Sequence, residues 1–108
     1  MREVFHQRRN LILKELSHIP GISCEKPNGA FYVFPNFKKY LNSKSSNRPI
    51  IKTSSDLSLY ILDRTGVVTV AGDSFGAPLN IRLSYATSDE NIIQACKLIN
   101  RALSELKN

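Results

Sequence analysis

The sequence has 108 residues, 42% hydrophobic and 22% charged, a composition typical of one globular domain with its own core. Its 15 basic and 9 acidic residues give a net charge of +6, which suits anionic ligands or nucleic acid, although the basic residues are scattered. No run of about 18 apolar residues predicts a membrane span, and the N-terminus lacks the apolar segment of a secretory signal, so we expect a cytoplasmic location.

Residues 2–18 are predicted to form an amphipathic helix that ends at Pro20-Gly21, because proline cannot extend a helix and glycine takes the turn. No N-cap residue precedes this helix, so we expect it to continue from residues further upstream. Its apolar side chains recur at helical spacing: Val4, Phe5, Leu11, Ile12, Leu16 and Ile19.

Two strands are predicted next, joined by a tight turn. Residues 22–25 form the first candidate, and Asn28-Gly29 supplies residues that tolerate the positive φ of a reversal. Residues 30–34 form the second candidate, because they are rich in aromatic and β-branched side chains and end at Pro35. This second strand is apolar on both faces, which predicts a central strand that is covered on each side.

The pattern then becomes polar before a second helix begins. Residues 36–53 carry so many Lys, Asn and Ser side chains that we expect a mobile surface loop that builds no core. The spacing from Thr53 to Asp56 predicts a capping box at the start of a short helix, and Gly66 is predicted to end it. The expected buried stripe of this helix is Leu57, Tyr60 and Ile61.

The last third predicts a strand, a glycine-bracketed loop, a second strand and a long helix. Residues 67–70 form the first strand, and residues 71–78 form the loop. In the strand 80–84, Ile81 and Leu83 face one way while Arg82 faces the other with Asn80 and Ser84. Thr87 or Ser88 is predicted to cap the final helix, whose buried face is Ile92, Cys96, Ile99, Leu103 and Leu106.

These elements together predict an α/β fold, a two-layer sandwich with helices packed on a small mixed sheet. Cys24 and Cys96 are expected to be packing residues, and with His6 and His18 they form no recognisable metal motif. The sequence contains no glycine-rich phosphate loop, and it identifies no catalytic nucleophile or base. Arg82 stands out, either as an ordinary surface or ion-paired residue, or as an anion site whose guanidinium presents two parallel donors to a carboxylate.

Several short segments, in their order and spacing, resemble the C-terminal small domain of the class I pyridoxal-phosphate-dependent aminotransferases, especially the bacterial aspartate aminotransferase group. The resemblance covers nearly the whole chain and is weakest over residues 38–53. The segments that carry it are Arg8-Arg9-Asn10, Ile19-Pro20-Gly21, Pro27-Asn28-Gly29-Ala30-Phe31-Tyr32, Gly66-Val67, Gly72-Asp73-Ser74-Phe75-Gly76 and Ile81-Arg82-Leu83-Ser84-Tyr85-Ala86.

The resemblance implies that residues 1–108 are the small domain of a fold-type I enzyme without its large domain. Arg82 would bind the α-carboxylate of the substrate, and the small domain would close on the large one when the substrate arrives. Pyridoxal 5'-phosphate would be bound in the large domain on a Schiff-base lysine. Ser43-Lys44 lacks the downstream Gly-x-Arg-x-Gly of that lysine motif, so the isolated chain is expected to be inactive.

The implied reaction transfers an amino group from aspartate or a related amino acid to 2-oxoglutarate, with a prephenate-accepting variant as an alternative. The full-length enzyme would be a homodimer that acts on amino acids and 2-oxo acids, with no nucleic acid or membrane partner. A second candidate is an RNA-binding module of the RRM type, because residues 29–34 partly resemble its aromatic RNP1 strand. That module should begin with a strand and run βαββαβ, and Pro35 stands where its motif has an aromatic residue.

Overall fold

The computed structural model describes residues 2–24, 32–45, 48–85 and 87–107, without the side chains of residues 2–6 and Phe75. In chain order its elements are α1 (Arg2–Leu16), β1 (Tyr32–Val33), a 3₁₀ helix (Lys38–Tyr40), α2 (Ser54–Thr65), β2 (Val70–Ala71), a second 3₁₀ helix (Gly72–Phe75), β3 (Ile81–Ser84) and α3 (Asp89–Ser104). No helix in these ranges is both long and apolar enough to cross a membrane.

The three strands form one sheet in the order β1-β3-β2, so β3 is the central strand. Tyr32 pairs with Ser84 on one side of β3, and Val70 pairs with Arg82 on the other. The predicted α/β class is confirmed, but both ladders are antiparallel where a mixed sheet was expected. The chain reverses within the short connection between β2 and β3, and such a connection joins antiparallel rather than parallel neighbours.

The helices cover one face of this sheet and bury a single core. Helix α3 packs against both α1 and α2, and α2 also contacts β2. The core contains most of the apolar stripes predicted for the helices and the inward-facing residues of the strands: Ile12, Leu16, Ile19, Val33, Leu57, Tyr60, Ile61, Ile81, Leu83, Ile92, Cys96, Ile99 and Leu103. Of the stripe predicted for α1, Leu11 is only partly buried, and the side chains of Val4 and Phe5 lie outside the described part of the chain. Leu106, predicted to be buried, lies beyond the end of α3 and is only partly buried.

The predicted ends of the helices are largely confirmed. Thr53 caps α2 through a complete capping box with Asp56, and Gly66 ends the helix in the left-handed conformation at φ 79°. Of the two candidates for the α3 cap, Ser88 is the one used, and its hydroxyl accepts a hydrogen bond from the backbone N–H of Asn91. Helix α1 ends at Leu16, two residues earlier than predicted.

Of the four predicted strands, the one at 80–84 is confirmed as β3, whereas the other three overlap the described strands only in part or not at all. From the candidate 22–25, Ser23 makes an isolated antiparallel bridge to Asn36, while residues 25–31 lie outside the described ranges. The strand predicted at 67–70 is observed as Val70–Ala71. Val68 is 76% exposed and pairs with no strand of the described ranges. The expectation that the strand at 30–34 is covered on both faces was wrong, because Tyr32 is 40% and Phe34 39% exposed. Among the described residues, β1 pairs with β3.

The prediction that residues 36–53 build no core was also wrong. Phe37, Tyr40 and Ile51 are buried, and the Tyr40 hydroxyl donates a hydrogen bond to the carbonyl of Pro20. The backbone of Lys44 forms an antiparallel bridge with that of Lys107, beyond the end of α3. A few apolar side chains and these backbone hydrogen bonds therefore dock a segment whose composition is mostly polar.

Gly72 occupies a position that has no room for a side chain. Its N–H donates a 2.8 Å hydrogen bond to the carbonyl of Asn80, and its own carbonyl accepts one from the N–H of Ala77. A Cβ added at this position would lie 2.0 Å from the carbonyl oxygen of Ala77 and 2.5 Å from that of Asn80. Backbone atoms cannot move away as a flexible side chain can, so this close approach requires glycine.

We predict that Gly72→Ala lowers the free energy of unfolding by about 2 kcal/mol or more, because the turn that leads into β3 must open. Gly76→Ala is the matched control: Gly76 has a positive φ of 73° but open space around its Cβ position. That substitution should cost only the strain of the left-handed conformation, about 1 kcal/mol. Urea unfolding of the two variants measures both values, and equal losses would contradict the steric explanation.

Candidate functional site

Strand β3 presents Arg82 on the face of the sheet opposite the helices. Its neighbours Ile81 and Leu83 are 0% and 6% exposed and point into the core, whereas Arg82 is half-buried and Ser84 is exposed. The alternation is that of a strand with one covered face, as the sequence predicted. Because β3 is paired on both edges, the backbone that carries Arg82 is held by neighbours on each side.

The guanidinium of Arg82 lies over the ring of Tyr32, with its central carbon 4.3 Å from the ring centroid. This distance is within the range of a cation–π interaction. The contact follows from register: Tyr32 pairs with Ser84, so it shares a face with Arg82 and is its diagonal neighbour across the β1–β3 ladder. The sequence pattern indicated Arg82 as a candidate site residue and gave no role to Tyr32, because the common face of the two side chains becomes visible only once the two strands are paired.

The same face continues toward a polar concavity at the start of β3. The side-chain amide of Asn80 donates a 2.8 Å hydrogen bond to the carbonyl of Phe34, which ties the end of β1 to β3. Asn36 bridges to both Ser23 and Asn80, so three segments of chain meet there. The concavity measures about 510 Å³ and is lined by Ser23, Cys24, Phe34, Asn36 and Asn80.

The loop before β3 is fastened to the N-terminus of α2 by Asp73. Its carboxylate accepts hydrogen bonds from the backbone N–H of Ser55 at 3.1 Å and from the Ser55 hydroxyl at 2.9 Å. The N–H of Asp73 in turn donates to the hydroxyl of Ser54. These bonds to the ionised carboxylate, first that from the Ser55 backbone, lower the pKa of Asp73 below its usual value of 3.8.

The segment after β3 is held in a similar way by the start of α3. The hydroxyl of Thr87 accepts a 3.0 Å hydrogen bond from the side-chain amide of Asn91. Asp89, in the first turn of α3, lies 3.6 Å from the Nε of Arg8 on α1, which joins the two helices. Asp89 also lies near the positive end of the α3 dipole, so its negative charge is stabilised both by Arg8 and by the dipole. The segments before and after β3 are thus each attached to a helix N-terminus.

The remaining candidates from the sequence do not assemble into a site. Neither Cys24 nor Cys96 is in a disulfide, and burial, with a smaller contribution from the Glu15 charge, raises the pKa of the Cys96 thiol to about 12. A thiol with that pKa is not a nucleophile at neutral pH. Within the described ranges, no three His, Cys, Asp or Glu side chains are close enough together to bind a metal ion.

A model of the family described as aminotransferase class I and II matches residues 1–99. The chain belongs to this family. Its fold agrees, since the crystal structure of the aspartate aminotransferase from Rhizobium meliloti superimposes on it with a TM-score of 0.92 and 35% sequence identity. That match covers 97% of this chain and 26% of the crystallised one. The resemblance found in the sequence is therefore confirmed at the level of family and fold.

Two relatives that are named for different substrates match this chain at nearly the same sequence identity. A probable aspartate/prephenate aminotransferase of Aquifex aeolicus is 41% identical over 106 residues, which is 98% of this chain and 25% of the relative. An asparagine–oxo-acid transaminase of Streptococcus mutans is 42% identical over 101 residues, 94% of this chain and 24% of the relative. The chain thus spans about a quarter of the length of these aminotransferases.

The alternative of an RRM-type RNA-binding module is not supported. That module runs βαββαβ, whereas the described elements of this aminotransferase chain begin and end with the helices α1 and α3. In the segment that resembled RNP1, residues 29–31 lie outside the described ranges, and Tyr32 is stacked with Arg82. The family match explains the same aromatic strand without RNA.

We predict that Asp73→Asn destabilises the chain at pH 7, because the neutral amide is a weaker acceptor for the Ser55 donors and does not favour the helix N-terminus. The folded pKa of Asp73 is lowered, so its stabilising contribution is fully present above the unfolded pKa and is lost as the pH falls through the folded pKa. Urea midpoints of both proteins between pH 7 and pH 2 should therefore converge at the acidic end. A constant difference across this range would contradict the assignment.

Proposed function

We propose that the chain is the C-terminal small domain, residues 1–108, of a pyridoxal-phosphate-dependent aminotransferase. In this proposal Arg82 binds the α-carboxylate of the amino-acid or oxo-acid substrate. The observation that supports it is the position of Arg82: the side chain lies on the open face of the central strand, stacked on Tyr32, in a chain of this family. An ordinary surface arginine requires neither a central strand nor an aromatic support.

The geometry suits a carboxylate because a guanidinium binds it through two parallel N–H donors. Stacking on an aromatic ring occupies the flat face of the guanidinium, and its donors lie in the plane at the edge. A carboxylate can therefore approach in that plane while the ring remains in contact. Lysine, a point charge on a flexible stem, would attract the same ligand without fixing its orientation.

The residues described here do not fit the site of the cofactor itself. When bound, pyridoxal phosphate supplies the electron sink for amino-group transfer, and it requires a lysine enclosed with it in a pocket. All seven lysines of the described ranges are exposed to solvent: Lys14, Lys38, Lys39, Lys44, Lys52, Lys97 and Lys107. In this proposal the cofactor is held by the large domain and not by the described residues, and the chain by itself is inactive.

Domain closure would bring the open face of the sheet against the cofactor-binding part of the enzyme. That face exposes the aromatic side chains of Tyr32 and Phe34 beside Arg82. Closing a second surface over it would remove water from the carboxylate site and strengthen the charge-assisted hydrogen bonds there. The full enzyme would act as a homodimer, as the family resemblance implies, and its expected location is the cytoplasm, because the sequence has no secretory signal pattern.

The proposed reaction moves an amino group from aspartate, or a related amino acid, to 2-oxoglutarate. Relatives whose names include aspartate, prephenate and asparagine match this chain at 41% and 42% identity, so its similarity does not follow the substrate name. This supports the proposal that Arg82 binds the carboxylate that all these substrates share. Discrimination between side chains would come from residues elsewhere in the enzyme.

The test is a hybrid enzyme in which this chain replaces the matching quarter of the Aquifex aeolicus relative. We predict that Arg82→Lys costs about 2–3 kcal/mol of substrate binding because the bidentate pairing is lost. That corresponds to a decrease of roughly 30- to 160-fold in kcat/KM. The loss should appear for amino acids and oxo acids alike, and pyridoxal phosphate content, read from its absorbance, should be unchanged.

Arg101→Lys provides the matched control, because Arg101 is exposed in the last turn of α3 and the exchange is chemically identical. It should leave kcat/KM within about twofold of the unmodified hybrid. If Arg82→Lys lost the cofactor but kept normal substrate affinity, Arg82 would act on the cofactor and the assignment would be wrong.

A further inference from the structure

We propose that Tyr32 is a positioning residue for Arg82, whose ring holds the guanidinium in the orientation that receives a carboxylate. This inference rests on the proposed function, since it assigns a second residue to the same site. The observation that carries it is the 4.3 Å distance between the guanidinium carbon of Arg82 and the centroid of the Tyr32 ring. The two side chains come from different strands, so the contact is a product of the sheet.

The backbone fixes where the ring stands. Val33 is buried and pairs with Leu83, and this anchors β1 in register on the core side of the sheet. Tyr32, the preceding residue, must then point to the opposite face, where its pairing with Ser84 places it diagonally from Arg82. The ring is thus held by a packed neighbour rather than by a loop.

The ring matters because an arginine side chain has four flexible torsions. An unsupported guanidinium samples many orientations, and binding a carboxylate then costs the conformational entropy of restricting the side chain. The contact with the ring restricts the guanidinium before the ligand arrives. A guanidinium that lies over a ring keeps its N–H donors at its edge, where a carboxylate binds. Tyr32 would therefore raise substrate affinity without touching the reacting atoms.

Two other pairs in the described ranges place a cation over a ring. Arg48 lies 5.5 Å from the ring of Tyr60, and Lys39 lies 5.6 Å from the ring of Tyr40. In both pairs the tyrosine is buried and its hydroxyl donates a hydrogen bond to a backbone carbonyl, so the ring is part of the core. Tyr32 differs, because the residue is 40% exposed and lies beside the arginine proposed to bind substrate.

The contact itself can be tested on the full 108-residue chain by NMR. The guanidinium carbon lies 4.3 Å from the ring centroid, within reach of the ring's shielding. We therefore expect the Nε–H resonance of Arg82, identified by its loss in Arg82→Lys, to lie upfield of ordinary arginines. Tyr32→Leu should return this resonance to the ordinary range, and Tyr32→Phe should leave it shielded. A resonance that does not move in Tyr32→Leu would overturn the proposal, because the contact would then be absent in solution.

The role is tested in the hybrid enzyme with succinate, a dicarboxylate that competes with substrate. We expect Tyr32→Leu to raise the inhibition constant by about 5- to 30-fold, the range of a partly desolvated cation–π contact. Tyr32→Phe keeps the ring and should stay within about twofold of the parent. In the Arg82→Lys background the effect of Tyr32→Leu should fall below about twofold, because its effect is transmitted through the guanidinium.

The outcomes separate this inference from the proposed function. If Arg82→Lys raises the inhibition constant and Tyr32→Leu does not, Tyr32 has no positioning role and the carboxylate assignment stands. If Tyr32→Leu is equally harmful with and without the arginine, the ring acts on the fold and the proposal is overturned. If Arg82→Lys leaves the inhibition constant unchanged, the proposed function fails, and this inference fails with it.

Discussion

The pairing of β3 on both of its edges is the constraint on which the rest of the structure depends. A strand alternates its side chains between two faces, so burying Ile81 and Leu83 under the helices forces Arg82 to the opposite side. A slip of one residue would bury the guanidinium in the apolar core, where its charge would be strongly unfavourable. The core and the candidate site therefore depend on the same register.

The segments before and after β3 are attached to helix N-termini by short polar side chains. Before the strand, Asp73 binds Ser55 at the start of α2, in a loop that reverses tightly at Gly72. After it, Ser88 caps α3, and that helix carries the apolar stripe that packs over the sheet. These contacts leave little freedom to the backbone of β3, and a rigid backbone is what a carboxylate site requires if it is to orient its ligand.

Local signals predicted the helix ends and the face of Arg82 because each depends on neighbours in sequence. The capping box of Thr53 and the left-handed Gly66 need only residues within one turn, and both are found as predicted. The prediction failed for residues 36–53, where polar composition outweighed a few apolar side chains. Phe37 and Ile51 are buried against distant segments, and the bridge from Lys44 to Lys107 joins residues with no local relation.

The sequence by itself determined the α/β class, the period-two strand that carries Arg82 and the resemblance to aminotransferases, since short motifs and spacing express these directly. Only the tertiary structure decided that β3 pairs with a strand on each of its edges and that Tyr32 lies against Arg82. The physical reason is that this contact requires two strands, remote in sequence, to pair in one register. That register follows from the burial of Val33 and Leu83 under the same layer of helices. Composition and local pattern do not show which residues of two distant strands will pair.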